Sequence, residues 1–300
     1  MKLLNIILLT LSYATLLDGG YFIVIPFRQL MLKGRSYFEY NKRQFESRKQ
    51  MVDSILLDHR YIPKQILLLC PKGLIADNRT YLLKKISTYQ LPYSSNTKTY
   101  TVSKSDVLIE EIPQVKSMKY ECNKNIFPDY KSAVSYASDL IKYSKFRIPD
   151  RFLGPNDQSK AIWLTLWKSC CFACFSQNGY NVLRMNILNE INKRRRIKKI
   201  GPLALNKYLN LYAKKRAMET ANLVLPSIRS NDEITDSISA PMATLIVKKW
   251  YDGSHTTNSL NNVGTTEHIN AQKCSNSKYH KIGIGIFKKG TKLYIVLKFS

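Results

Sequence analysis

Leu205, Leu209, Ala213, Ala217 and Ala221 recur at every fourth position, while Lys207, Lys214, Lys215 and Arg216 fall on other faces. That spacing predicts an amphipathic helix whose apolar stripe is built largely of small residues and can pack closely. Asn206 is suited to cap its start, and Pro226 follows its end. A second helix is expected from Met242 to Tyr251, with Pro241 in its first turn and Gly253 as its stop. Beyond it, Ile282-Gly283-Ile284-Gly285-Ile286-Phe287 and Leu293-Tyr294-Ile295-Val296-Leu297 read as two strands joined across Lys289-Gly290. The paired glycines follow a loop and precede no helix, which argues against a dinucleotide-binding turn.

The middle of the chain reads in a similar order. Ser132 to Tyr143 has a helical pattern behind Pro128, and Trp163 to Phe175 is apolar and strand-like. Asn178-Gly179 is a hairpin signal, with Tyr180 to Met185 as the returning strand and Ile187 to Arg196 as a new helix. Residues 93–106 read as loop. Helix, loop, helix and hairpin therefore occur twice, at a period too long for a solenoid. Two tandem α+β domains are expected, with a boundary near Met185–Asn186.

The chain has 300 residues, 44% of them hydrophobic and 23% charged, which excludes wholesale disorder. Its formal net charge is +26. The excess is shared about equally between residues 1–185 and 186–300, so it is no tail. Such a field favours anionic partners: sulfated glycan, acidic lipid, nucleic acid or an acidic protein. Met1-Lys2 followed by Leu3-Leu4-Asn5-Ile6-Ile7-Leu8-Leu9 has the form of a secretory leader. The expected segments are a signal peptide at 1–20, a basic N-terminal segment at 21–49, and domains at 50–185 and 186–300. Secretion fits six cysteines, Cys70, Cys122, Cys170, Cys171, Cys174 and Cys274, whose even count allows three bridges. Cys171 and Cys174 lack the further ligands that a zinc site needs. Asn78-Arg79-Thr80 is a glycosylation sequon. No stable membrane span and no nucleic-acid partner are expected.

Residues of the second half resemble the CAP superfamily of cysteine-rich secretory, pathogenesis-related and venom-allergen-like proteins. Asn192 and Arg195 match the Asn and Arg of its first-helix motif. Gly201-Pro202-Leu203, Leu209, Ala213, Ala217, Trp250-Tyr251-Asp252, Gly283-Ile284-Gly285 and Tyr294-Ile295-Val296 match its later motifs. In the first half, Leu166-Trp167-Lys168-Ser169-Cys170 and Ala133-Val134 fit less fully. The resemblance implies two tandem CAP-like α-β-α sandwiches with central antiparallel sheets.

It also implies a cleft with two His and two Glu that can bind a divalent metal. Here those positions are degenerate: Ile191, Asp232 (or Glu233), Gly253 and His268 (Asn270 without a gap) in the second copy, and His59, Glu110, Leu140 and Ala161 in the first. A transition metal needs at least three converging protein ligands, so neither a metal nor any other cofactor is expected. Four histidines also leave few bases for a nucleophile, and no catalytic residue is assigned. The run Lys193, Arg194, Arg195, Arg196, Lys198 and Lys199 is the candidate anion-binding patch. The expectation is a secreted, non-enzymatic binding or host-interaction protein. A sterol or fatty-acid carrier using the CAP groove is the alternative.

Overall fold

The computed structural model describes residues 22–32, 35–72, 82–83, 98–114, 117–222, 230–253 and 266–300. The segment 1–20, expected to be a leader, and Asn78 lie outside the described residues. The chain is α+β and divides into two compact units, Met1–Ile141 and Lys142–Ser300. The first unit is built on β1 (Phe22–Leu32), β2 (Arg35–Tyr40), β3 (Arg43–Phe45), β4 (Leu67–Pro71), β5 (Leu82–Leu83), β6 (Thr99–Val102), β7 (Leu108–Gln114), β8 (Ser117–Cys122) and β9 (Asn125–Phe127). These strands form one sheet in the order β3-β2-β1-β4-β6-β7-β8-β9, with β5 also on β1. The β1–β4 pair is parallel.

Between those two strands the chain runs through α1 (Arg48–Asp58). Ser47 and Gln50 close a reciprocal capping box at its start, so two orphan donors are satisfied. Met51, Val52 and Ile55 then pack on Ile25, Phe27, Leu67 and Leu69 of the sheet. Residues 21–49 thus contribute β1, β2 and β3 to this core. The stretch 93–106, read as loop, contains β6. Its Tyr100 and Val102 are buried, and β-branched and aromatic residues favour a strand once the sheet covers them.

The helix α2 (Tyr130–Ser144) leads to the second unit, which holds α3 (Asp157–Trp167), α4 (Phe172–Phe175), α5 (Gln177–Ile197), β10 (Ala204–Leu205), α6 (Lys207–Ala221), β11 (Glu233–Ser239), a 3-10 turn (Ala240–Leu245), α7 (Ile246–Gly253), α8 (Thr266–Cys274), β12 (Lys281–Lys289) and β13 (Lys292–Phe299). Two expectations are corrected here. Trp163 to Trp167 ends one helix and Phe172 to Phe175 forms another, because Ser159, Ile162, Trp163 and Trp167 bury at helical spacing behind an Asn156 cap. The Asn178-Gly179 signal is a real left-handed turn, with Asn178, Gly179 and Tyr180 at φ 51, 62 and 64, but it joins two helices. The expected boundary near Met185 therefore falls inside α5, whereas the units divide after Ile141. The units also differ in strand order.

The four strands of the second unit run β10-β12-β13-β11. As expected, β12 and β13 form a hairpin, with Gly290 at φ 57 in its turn. Both sheet faces are covered. Ile284, Ile286, Ile295 and Leu297 are buried on one side. On the other, Ala213 and Ala217 of α6 pack with Val296. The open edge of β12 is also closed: Asn210 accepts from the Ile284 N–H at 2.8 Å, and Arg184 donates to the Ile284 carbonyl at 3.1 Å. Partners for edge groups suppress pairing with another chain.

Candidate functional site

The residues that carry the resemblance in the second half lie in this one unit. Asn206 caps α6 by accepting from the N–H groups of Tyr208 and Leu209. The Asn192 amide accepts from the Leu203 N–H at 2.8 Å and donates to its carbonyl at 3.0 Å. Trp250 donates to Asp236 at 2.7 Å. Arg195 is fully buried and donates to the carbonyls of Gly201, Cys274, Asn276 and Tyr279. It is therefore a brace between the end of α5 and the segment after α8.

The basic run splits by helical phase. Arg196, Lys198 and Lys199 are exposed and Lys193 is half-buried, while Arg194 and Arg195 point inward. One face of α5 serves the surface and the other the interior.

The eight tetrad-equivalent positions are scattered. His59 ends α1 against the Tyr40 hydroxyl at 3.1 Å, and Glu110 pairs with Lys98 at 2.8 Å. Leu140 is buried and Ala161 is exposed. Ile191 is fully buried, and Gly253 ends α7. Asp232 holds Lys298 at 2.6 Å and accepts from Ser230. Burial acts to raise its carboxyl, but those hydrogen bonds outweigh burial and hold it below the usual range. His268 lies on α8 beside Gln272. Among the described residues, no three His, Cys, Asp or Glu side chains are grouped to hold a metal ion.

Three of the candidates, Arg194, Lys198 and His268, come together in a feature the sequence did not assemble: they line a cleft of about 350 Å³ between the start of α3, the end of α5, and α7 and α8. Ser159 and Arg194 in its wall belong to a buried polar chain that runs behind it. Glu190, fully buried, accepts from Trp167 at 2.9 Å and from Arg194 at 3.0 Å. Arg194 also donates to Ser159 at 2.9 Å, and Lys248 donates to the same hydroxyl at 3.3 Å. Lys248 is held in turn by Asp252. The Arg194 guanidinium lies over the Tyr251 ring, 4.4 Å from its centroid, and the Lys198 ammonium lies 5.6 Å from the same centroid. Burial is the largest influence on Glu190 and pushes its carboxyl up, against the pull of Arg194, Trp167 and Lys248. The i,i+4 spacing of Glu190 and Arg194 was a legible signal. Ser159 and Lys248 were not, because their partners are 35 and 89 residues away.

A second cleft, about 170 Å³, is lined by Trp163, Trp167, Phe172 and Phe175 beside the Cys170–Cys174 disulfide. An engineered cavity of roughly 150 Å³ holds benzene, so this one suits a single ring and is too small for a sterol.

A family model described as a domain of unknown function, DUF7381, matches residues 19–139. No curated protein matches the chain. Solved structures similar to part of it include MpPR-1i, at 15% identity and a TM-score of 0.28, covering 49% of this chain and 90% of that one. Na-ASP-1 is similar at 17% identity and a TM-score of 0.31, covering 41% and 38%. The Hookworm Platelet Inhibitor is similar at 12% identity and a TM-score of 0.29, covering 52% and 73%.

Proposed function

We propose that the chain is a secreted CAP-type protein that acts by binding rather than catalysis, and that its basic surface supplies part of the affinity for an anionic extracellular partner. The CAP-type reading is proposed for residues 142–300. It is supported by the seating of Gly283 and Gly285 on α6 and by the hydrogen bonds that Asn192, Arg195 and Trp250 make within that unit. The observation that carries the binding reading is the charge itself. Against 47 Lys and Arg there are 21 Asp and Glu, so most cations cannot be matched one to one within the molecule. Arg196 and Lys199 are among those facing solvent. An excess of this size exceeds what solubility asks of a domain. A sulfated glycan presents the complementary array.

Heparin chromatography of the purified chain tests this reading. Retention should weaken steeply with salt, because contacts between exposed charges are screened within about 10 Å at 0.1 M. Replacing Lys193, Arg196 and Lys199 together by Ala should move elution to lower salt. Elution of the parent chain below physiological ionic strength would overturn the proposal.

A further inference from the structure

We propose that the cleft between α3, α5, α7 and α8 binds a single tetrahedral oxyanion carried on a small organic group, as in a phosphate or sulfate monoester. This site shares Arg194 and Lys198 with the basic run but uses neither Arg196 nor Lys199, so it is tested independently of the surface reading.

The donor inventory leads to this assignment. A guanidinium has five N–H groups in a fixed fork. The Arg194 side chain is only 8% exposed, and its hydrogen bonds to Ser159 and Glu190 both come from Nη2. Nε is buried without a hydrogen-bond partner. Among the described residues Nη1 also has none, yet unlike Nε it is not shut off from solvent. Nη1 can therefore exchange water for an acceptor that enters the cleft. The Tyr251 ring, its centroid 4.4 Å from the guanidinium carbon, backs the fork.

Lys198 adds a second cation at the cleft. Its ammonium donates to the Ser275 hydroxyl at 3.2 Å and forms no ion pair among the described residues. The third contribution is the start of α3. Asn156 takes up the Ser159 N–H, while the Gln158 N–H has no partner among the described residues, and free N–H groups at a helix start favour an anion. The Asp157 side chain, also in this first turn, is exposed and opposes the effect. Among the described residues, the cleft lining itself carries two cations, Arg194 and Lys198, and no carboxylate, while Glu190 behind the wall neutralises part of the Arg194 charge.

Shape narrows the class. Donors approach from two elements rather than from one fork, which suits a tetrahedral group better than a flat carboxylate. The volume lies in the range of small-molecule sites and exceeds what one oxyanion fills, which leaves Tyr251 and Ile197 to face an organic remainder.

The test is calorimetric titration of the full purified chain with phenyl phosphate, inorganic phosphate, phenyl sulfate and benzoate. Phenyl phosphate or phenyl sulfate should bind saturably at one site, more tightly than inorganic phosphate and more tightly than benzoate. Lys198→Met, at an exposed position, should weaken this about tenfold, the lower end for a hydrogen bond to a charged group. Lys199→Met removes the same charge outside the cleft and should leave binding unchanged. Gln272→Trp, which fills the opening and keeps every cation, should abolish it. Thermal unfolding of each variant confirms that it is folded. Absence of saturable binding, equal weakening by Lys199→Met, or benzoate binding as tightly as phenyl phosphate would each overturn the assignment. Heparin retention is measured apart, so failure here leaves the surface reading standing.

Discussion

A Cβ built on Gly285 would stand 2.1 Å from the carbonyl carbon of Ala213, and one on Gly283 would stand 2.1 Å from that of Leu209. Two glycines two residues apart on β12 thus receive two turns of α6, whose alanine stripe supplies the other half of the contact. The neighbouring atoms are helix backbone, which cannot swing aside. Gly285→Ala should therefore cost at least the upper end of ordinary overpacking, about 3 kcal/mol. Thermal or urea unfolding followed through Trp163, Trp167 and Trp250, which are all buried in the second unit, would read the loss. A change under about 1 kcal/mol, the lower end of that range, would mean that the helix is not seated on these glycines.

Arg195 makes a different kind of demand. It donates to four main-chain carbonyls at 2.6 to 3.0 Å. Arg195→Met is isosteric in its stem but strips those carbonyls of their donor. At about 1–3 kcal/mol for each group left unsatisfied, the loss should exceed about 4 kcal/mol. Arg195→Lys should recover only part, since one ammonium cannot span a planar fork. Lys199→Ala, a few residues on and exposed, should change stability by less than about 0.5 kcal/mol. Equal stability effects at 195 and 199 would show that both belong to one surface patch.

The cysteines divide into a bridge, Cys170–Cys174, and four free thiols. Cys70, Cys122 and Cys274 are buried, and burial pushes each thiol up to about 12. A thiol held there supplies almost no thiolate at neutral pH. Cys171 is partly exposed. Native labelling with a maleimide at pH 7, read by peptide mass spectrometry, should modify Cys171 at least about tenfold faster than the other three. Rapid labelling of Cys274 would contradict the closed packing of α8.

The parts of the second unit that were legible are those in which one local signal decides the element. The four-residue stripe and Asn206 located α6, and the Lys289-Gly290 turn located the final hairpin. Misreadings arose where local and tertiary signals compete. An apolar run from Trp163 to Phe175 fits a buried strand or a buried helix equally by composition, and only the depth at which each side chain is buried separates them. Asn178-Gly179 specifies left-handed backbone, not the type of element on either side. The expected repeat rested on those two assignments. The basic run reads as a block because its residues are consecutive in the chain, whereas a helix sorts them by phase and sends Arg194 and Arg195 inward. The cleft was hidden because Ser159 and Lys248 acquire meaning only through contacts distant in sequence.

Glu111 makes the first unit sensitive to pH. On β7 it lies opposite Thr99 of β6 and Tyr120 of β8. Burial pushes its carboxyl from 4.5 up to about 7, and the Thr99 hydrogen bond at 3.3 Å only partly offsets this. The fold therefore holds the proton more tightly than the unfolded chain does. Between pH 4.5 and about 7 the native state binds more protons, so stability must fall as pH rises. The contribution is complete below about 4.5 and lost above about 7. At about 1.36 kcal/mol per pKa unit the span is up to roughly 3 kcal/mol, reduced by whatever water reaches the carboxylate. Glu111→Gln keeps the shape and removes the ionisation. It should match the parent chain near pH 4.5 and exceed it in stability at about pH 8, as measured by urea unfolding. Parallel pH profiles for the two proteins would place the Glu111 carboxyl in water.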